Sequence, residues 1–224
     1  MIPLSIPGVS RPEPRWPAIL AAFAAIALHF ALPIPLRFGT PWVLATIVVI
    51  LIGATQYARY RNMPTLNTVL AFSIIGVLTV GLLWGVGRLL TALIMRRPDV
   101  QGSDILRGAA VLWATNVIVF ASLYWRLDAG GPNARERREA HTEGAFLFPQ
   151  MTYAPPVDAR TGEPEEGWRP HFVDYLFVSF NTSTAFSPTD APVLSKWAKL
   201  AMMVQAIISF TTVVLVAARA VNIL

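Results

Sequence analysis

Apolar residues fall into long runs separated by short polar or proline-marked breaks. The first run extends from Pro17 to about Pro35, opened by Arg15 and Trp16 and closed by Pro33 and Pro35. The second covers about Pro41 to Tyr57, with Arg59 and Arg61 behind it. The third begins at Leu66, carries no charge up to Gly87, and continues past Arg88 to Met95, where Arg96, Arg97 and Pro98 end it. The fourth occupies about Gly108 to Trp125. Crossing ~30 Å of hydrocarbon takes about 20 residues at ~1.5 Å each. Each run comes close to that, so four spanning helices are predicted. Trp16, Trp42, Tyr57, Tyr60, Tyr124 and Trp125, with Arg126, gather at run ends as an interfacial belt requires.

Gly130-Gly131-Pro132 breaks the pattern, and Asp128 to Arg169 is the one long polar stretch. Within it, Asn133 to Glu143 mixes both charge signs and suits a short helix. Phe146-Leu147-Phe148-Pro149 suits a dip into the interface, and Ala154 to Gly167 reads as an exposed loop. Phe172 to Thr184 then forms an apolar helix candidate of only ~20 Å. That is too short to span. Ser187-Pro188-Thr189-Asp190 and Pro192 follow directly, and a fifth long run extends from about Trp197 to Ala218. A half-length helix, a polar turn and a full helix make the pattern of a re-entrant loop, whose irregular backbone must be buried in protein or line a wet cavity. The expected fold is therefore all-α and integral to the membrane, with five transmembrane helices and a short re-entrant helix before the last. Three regions result: residues 1–127 as a four-helix transmembrane region, 128–170 as a polar extramembrane loop, and 171–224 as the re-entrant helix, loop and final span.

Composition supports the membrane reading. Hydrophobic residues make up 54% of the chain and charged ones 14%, against roughly 25% charged in a soluble domain. A soluble fold of this size would leave too much apolar surface wet. The net charge of +5 does not point to nucleic acid, because the arginines flank apolar runs as interfacial anchors do. Absence of cysteine excludes disulfides, zinc–thiolate sites and thiol nucleophiles. Met1 to Trp16 is proline-rich and lacks the order of a signal peptide, so the run from Trp16 is expected to be retained. The lipid bilayer of the cell membrane is the expected surrounding of a multi-pass protein.

From Asp174 onward the residues resemble the pore module of potassium channels: pore helix, filter, inner helix. Asp174-Tyr175-Leu176-Phe177-Val178-Ser179 resembles the pore-helix start, Thr182 and Thr184 the threonine pair before the filter, and Asp190 the aspartate after it. Lys196 and Trp197 begin the matching inner helix, which carries Gln205 and Ser209 and ends near Arg219. The likeness covers about fifty C-terminal residues, and the chain is similar to a wider group of bacterial membrane proteins that share such a module. It departs from the channels at the filter. Where the family has Thr-Val-Gly-Tyr-Gly, this chain reads Ala185-Phe186-Ser187-Pro188-Thr189. Stacked carbonyl rings need a backbone that glycine accepts and that Pro188 opposes. A potassium-type filter is not expected. If the loop conducts, the hydroxyls of Thr184, Ser187 and Thr189 line a wider hydrated path, with Asp190 as an acidic ring in a homo-oligomer. The resemblance thus implies a weakly selective cation-channel subunit; a non-conducting scaffold that binds a protein partner through residues 128–170 fits the same residues.

Other features carry less chemistry. Asn116 and Gln205 are expected to hydrogen-bond between helices. His29 reads as interfacial or packed, and Arg88 as snorkelling from a long helix. Gly81 and Gly85 form one Gly-x-x-x-Gly, suited to packing within the chain or to a dimer face. Turn chemistry accounts for Asp128, Gly130, Gly131 and Pro132. Glu139, His141 and Glu143 alternate, which on a helix places them on different faces, so no metal site is expected. Glu163, Glu165 and Glu166 read as a solvated edge. With no serine elbow, phosphate-cradling loop or paired-histidine motif, neither an enzyme nor a bound cofactor is expected. Counting basic residues near the helix ends places the N-terminus and the long loop in the cytoplasm, whereas the channel likeness implies the reverse.

Overall fold

Prolines and side-chain caps set where the helices begin. Pro17, Pro41 and Pro64 stand in the first turns of α1 (Trp16–Ala31), α2 (Pro41–Tyr60) and α3 (Pro64–Ile94), where a missing N–H costs nothing and φ is already helical. A capping box opens α4 (Gly102–Leu127), the Asp104 carboxylate accepting the Gln101 N–H at 3.1 Å. A single turn, α5 (Pro132–Arg135), follows it. Asp174 accepts the His171 N–H at 2.7 Å to cap α6 (Phe172–Thr184), and Ser195 Oγ accepts the Ala198 N–H at 3.3 Å to cap α7 (Lys196–Val221). The computed structural model describes residues 13–95, 99–138, 141, 143–153, 160, 167–184 and 191–221. Among these the chain is helical, with one isolated antiparallel bridge between Phe146 and Val193.

Helices α2, α3, α4 and α7 are long and apolar enough to cross a membrane. Their outward faces carry Val43, Ile47 and Ile50 on α2, Val80 and Leu83 on α3, and Leu200, Met203, Ile207 and Phe210 on α7, all exposed. Water would not tolerate that much bare apolar surface, and lipid favours it. The first run differs from its expected form as one helix to Pro35. Helix α1 stops after 16 residues, and residues 34–36 form a separate 3₁₀ turn between Pro33 and Arg37. Prolines 33 and 35 cannot continue the ladder. The carbonyls freed there find side-chain donors: Arg37 bonds Phe30 O at 2.6 Å and Leu32 O, Trp84 Nε1 bonds Arg37 O at 3.1 Å, and Arg88 Nε bonds Pro35 O at 3.0 Å. Arg88 therefore anchors a turn rather than reaching for water.

Helix α4 is the axis of the bundle and packs against α1, α3, α6 and α7. Gly85 faces Leu112 and Gly81 faces Leu44, so the Gly-x-x-x-Gly pair serves packing within the chain. One end of the bundle collects the residues before α1, the α2–α3 turn, the end of α4 and the starts of α6 and α7. Arg15 and Arg59 both reach Glu136, at 2.7 and 4.0 Å, and Asn133 reaches Asn67 at 3.3 Å.

The polar stretch after α4 is less loop-like than its composition suggests. The short helix expected over Asn133–Glu143 shrinks to α5 and a turn. Phe146 and Phe148 are buried, and residues 145–147 pair with 192–194 through Leu147 N–H to Pro192 O (2.9 Å) and Leu194 N–H to Ala145 O (2.8 Å). The two phenylalanines draw this segment onto the bundle, and pairing with residues 192–194 satisfies its backbone. Most of Ala154–Gly167, with Glu163, Glu165 and Glu166, lies outside the described residues.

The turn after α4 depends on glycine. Gly131 has φ +83°, and a Cβ there would lie 2.6 Å from the Arg126 carbonyl oxygen. Gly131→Ala therefore meets both backbone strain and a clash with rigid main chain, and should cost about 2 kcal/mol or more. Thermal unfolding in detergent should show a clear loss for Gly131→Ala. Gly76→Ala, which adds a methyl into open space on a helix, should leave the midpoint unchanged or slightly raised.

Candidate functional site

Three of the residues matched to the pore module, Ser179, Gln205 and Ser209, meet at one point with Ser183. Gln205 of α7 is fully buried, and its side-chain amide donates to Ser179 O, Ser179 Oγ and Ser183 Oγ of α6, each at 2.7 Å. Its side-chain oxygen accepts the Tyr124 hydroxyl of α4 at 2.5 Å. Asn116 Nδ2 donates to the Gln205 backbone carbonyl at 3.1 Å, Ser179 Oγ donates to Val117 O at 2.7 Å, and Trp113 Nε1 donates to Ser183 O at 3.3 Å. Ser209 Oγ, one turn further along α7, donates to the same Ser183 carbonyl at 2.7 Å. Three helices are thus joined through side chains spaced one turn apart. Asn116 and Gln205 do hydrogen-bond between helices. Gln205 and Ser209, placed by the channel likeness on the inner helix, face the protein's own interior.

The remaining pore-matched residues divide in two. Thr182 and Thr184 lie at the C-terminal end of α6, where their hydroxyls turn back to Val178 O (2.8 Å) and Asn181 O (3.1 Å). Ala185, Phe186, Ser187, Pro188, Thr189 and Asp190 lie outside the described residues. The chain resumes at Ala191, which is buried.

The two ends of the module are close together. Tyr175, in the first turn of α6, and Trp197, in the first turn of α7, both pack against Phe146, with ring centroids 6.2 Å away in each case. Deeper in, Ser183 meets Gln205 and Ser209. Helices α6 and α7 therefore run side by side in the same direction, although they are consecutive in the chain. Against them α4 is antiparallel, since Trp125 packs on Phe172 at 5.8 Å while Trp113 reaches Ser183.

A second cluster fixes the start of α6. Asp128 is fully buried and accepts the Tyr175 hydroxyl at 2.6 Å and the Ala145 N–H; His141 Nε2 lies 3.3 Å from its carboxylate. Arg135 donates to Trp125 O and Asp128 O, both at 2.9 Å, and its guanidinium covers the Tyr175 ring at 5.3 Å. Turn chemistry alone does not explain Asp128, which ties α4, the long loop and α6 together. Its neighbours are far away in sequence, so nothing in the local pattern distinguishes it from an Asp–Gly turn. Among the described residues no group of histidine and carboxylate side chains could hold a metal ion. Phe146, Phe148 and Trp168 pack around this cluster, and His141 Nδ1 is buried there with no hydrogen-bond partner among the described residues.

Comparison with protein-family models, with curated proteins and with solved structures gives no match to this chain.

Gln205→Leu should keep the volume of the knot and leave the hydroxyls of Ser179, Ser183 and Tyr124 without it. Hydrogen bonds between membrane helices contribute about 0.6 kcal/mol each and at most about 1.7. Losing this set should cost about 2 kcal/mol in denaturant unfolding from detergent, and Ser209→Ala, which removes one bond, should cost about 0.6 kcal/mol.

Proposed function

We propose that the chain is a five-span protein of the cell membrane with one re-entrant pore-type loop, and that it works as a subunit of a homo-oligomeric, weakly cation-selective pore. The observation that carries this reading is the parallel run of α6 and α7. Two consecutive helices can point the same way only if the chain returns between them. Residues 192–194 already lie at the polar end, paired with 145–147, and the seven residues 185–191 can reach ~23 Å, still more than the ~20 Å length of α6. Descent as a half-length helix, return, and descent again as a full helix is the path of a pore module.

The return segment would lie at membrane depth, where its backbone needs either protein or water around it. Its side chains, Ser187, Thr189 and Asp190, suit water. With Pro188 among them and no glycine, carbonyl cages are not the means of selection; hydroxyls and an acidic ring are. One such loop cannot enclose a path, so several copies must meet. Val173, Phe177 and Phe180 on α6 and Met203, Ile207 and Phe210 on α7 remain exposed on the protomer and are available to such an assembly. In this reading α1, with the turn that follows it, completes the fifth span.

One observation favours a second reading, a non-conducting scaffold. Ser179, Ser183, Gln205 and Ser209 all spend their polar groups inside the protomer, which is what a packing element would do. A partner would then be held through residues 128–170.

Two measurements test the proposal. Purified protein in vesicles should pass monovalent cations, and Asp190→Asn should reduce the preference for cations over anions several-fold. Absence of current under every gradient and voltage would remove the pore and leave the scaffold. Because the chain has no cysteine, single cysteines at His171 and Ser195 can be labelled in vesicles of one orientation. Both should react from the same side; reaction from opposite sides would turn α6 into a crossing and end the re-entrant reading.

A further inference from the structure

A cleft enters the bundle between α1, α2, α3 and α4 at the end where the charged residues collect, and it is independent of the α6–α7 module. It holds about 630 Å³ of empty space, counting the part open to the surroundings. Arg15, Arg59, Arg126 and Asn67 stand at its mouth, and Ile19, Ala22, Ile52, Ile75 and Leu78 line its depth. The same Arg59 and Asn67 also border a second, wider opening of about 880 Å³.

Charge at the mouth is not balanced. Arg135 is matched by Glu13, its Nη2 lying 3.0 Å from both carboxylate oxygens. Glu136 serves Arg15 at 2.7 Å and Arg59 at 4.0 Å. Arg126 stacks on Trp125, 4.7 Å from the ring, and donates to Asn67 at 3.2 Å; no carboxylate among the described residues lies within ion-pair distance of it. Among the described residues, four guanidiniums therefore meet two carboxylates. Arg15 is 7% exposed, and its Nη2 is satisfied by Asn133 at 3.0 Å and by Glu136. Its Nε and Nη1 are buried with no acceptor among the described residues. Burial pulls the Arg15 guanidinium below the usual arginine range, against the opposing pull of Glu136 and Glu13. Unpaired N–H groups of this kind, at the rim of an apolar slot, are costly unless an anion takes them.

We propose that this cleft binds one anionic phospholipid, its phosphodiester held by Arg15 and Arg126 and one acyl chain laid along Ile19, Ala22, Ile75 and Leu78. The phosphodiester offers several acceptor oxygens to converging guanidiniums, and the surplus of arginine charge disfavours a headgroup that brings its own cation, such as the ammonium of phosphatidylcholine. The slot behind is lined mainly by apolar side chains, and the Thr55 and Ser122 hydroxyls that also border it are bonded to carbonyls of their own helices, which suits an alkyl chain. The wider opening leaves room for the rest of the headgroup.

The test uses the whole protein in neutral detergent, with phosphatidylglycerol, phosphatidylcholine and inorganic phosphate as probes. Native mass spectrometry should show one phosphatidylglycerol retained per chain and little phosphatidylcholine, with a raised unfolding temperature only for the former. Arg126→Gln and Ile19→Trp, which touch the head and the slot separately, should each weaken phosphatidylglycerol by about tenfold. A photoreactive phosphatidylglycerol activated on its acyl chain should label the unmodified protein within Ala18–Ala22 and Ile74–Leu78, which needs no variant to fold. Equal retention of phosphatidylcholine, or labelling spread over the outward faces of α2 and α7, would overturn the proposal. So would inorganic phosphate stabilising the wild type and Ile19→Trp alike, since the site would then take the anion alone.

Discussion

A glutamine buried among membrane helices has no water to fall back on, so its partners become part of the fold. Gln205 meets that condition through Ser179, Ser183 and Tyr124. Because those partners sit on two other helices, the same bonds that satisfy the amide also fix the depth and rotation of α6 against α4 and α7. Sliding α6 by one turn, ~5.4 Å, would carry Ser183 to the level of Ser179 and strand the amide. Apolar packing alone specifies register weakly in lipid, since tails solvate a misplaced leucine as well as a neighbouring helix does. The short helix stays where it is because its polar residues have one address.

The ends of α6 and α7 are fixed by a different kind of contact. Phe146 separates Tyr175 from Trp197, and Asp128 holds the Tyr175 hydroxyl beneath the long loop. Aromatic surface and one buried carboxylate thus close the module at the polar end, while the glutamine knot closes it at depth. Between these two clamps the direction of α6 is set, and with it the need for a return segment. At the same end, arginines that composition presents as plain interfacial anchors are drawn inward. Arg15 and Arg126 flank the Trp125 ring, and Arg135 caps the turn after α4. An interfacial belt and an organised basic cleft are built from the same residue types, and only their convergence tells them apart.

The sequence read alone carries the helices well. Runs of apolar residues, prolines at their starts and the glycine–proline break after α4 mark elements whose causes are local. The 13 residues of α6 are bounded in the sequence as they are in the structure, because Asp174 caps one end locally. Where the reading strays, the reasons are also physical. Pro33 and Pro35 close the first run as the sequence indicates, but the helix itself ends at Ala31, short of the length counted for a span. Phe146 and Phe148 lie in a polar stretch, and a few apolar residues there do not reveal that they fold onto the bundle.

What the sequence by itself determined is that this chain carries helices fit to cross a membrane, where most of them lie, and that the helix over Phe172–Thr184 has only 13 residues. Those follow from residue type and from spacing along a single helix. What only the tertiary structure decided is which polar groups meet. Asp128 and Tyr175 are 47 residues apart, Asn116 and Gln205 are 89 apart, and Arg15 and Glu136 are 121 apart. No pattern of period 3.6 links such positions, because their contact is a property of how helices cross rather than of how any one of them is written.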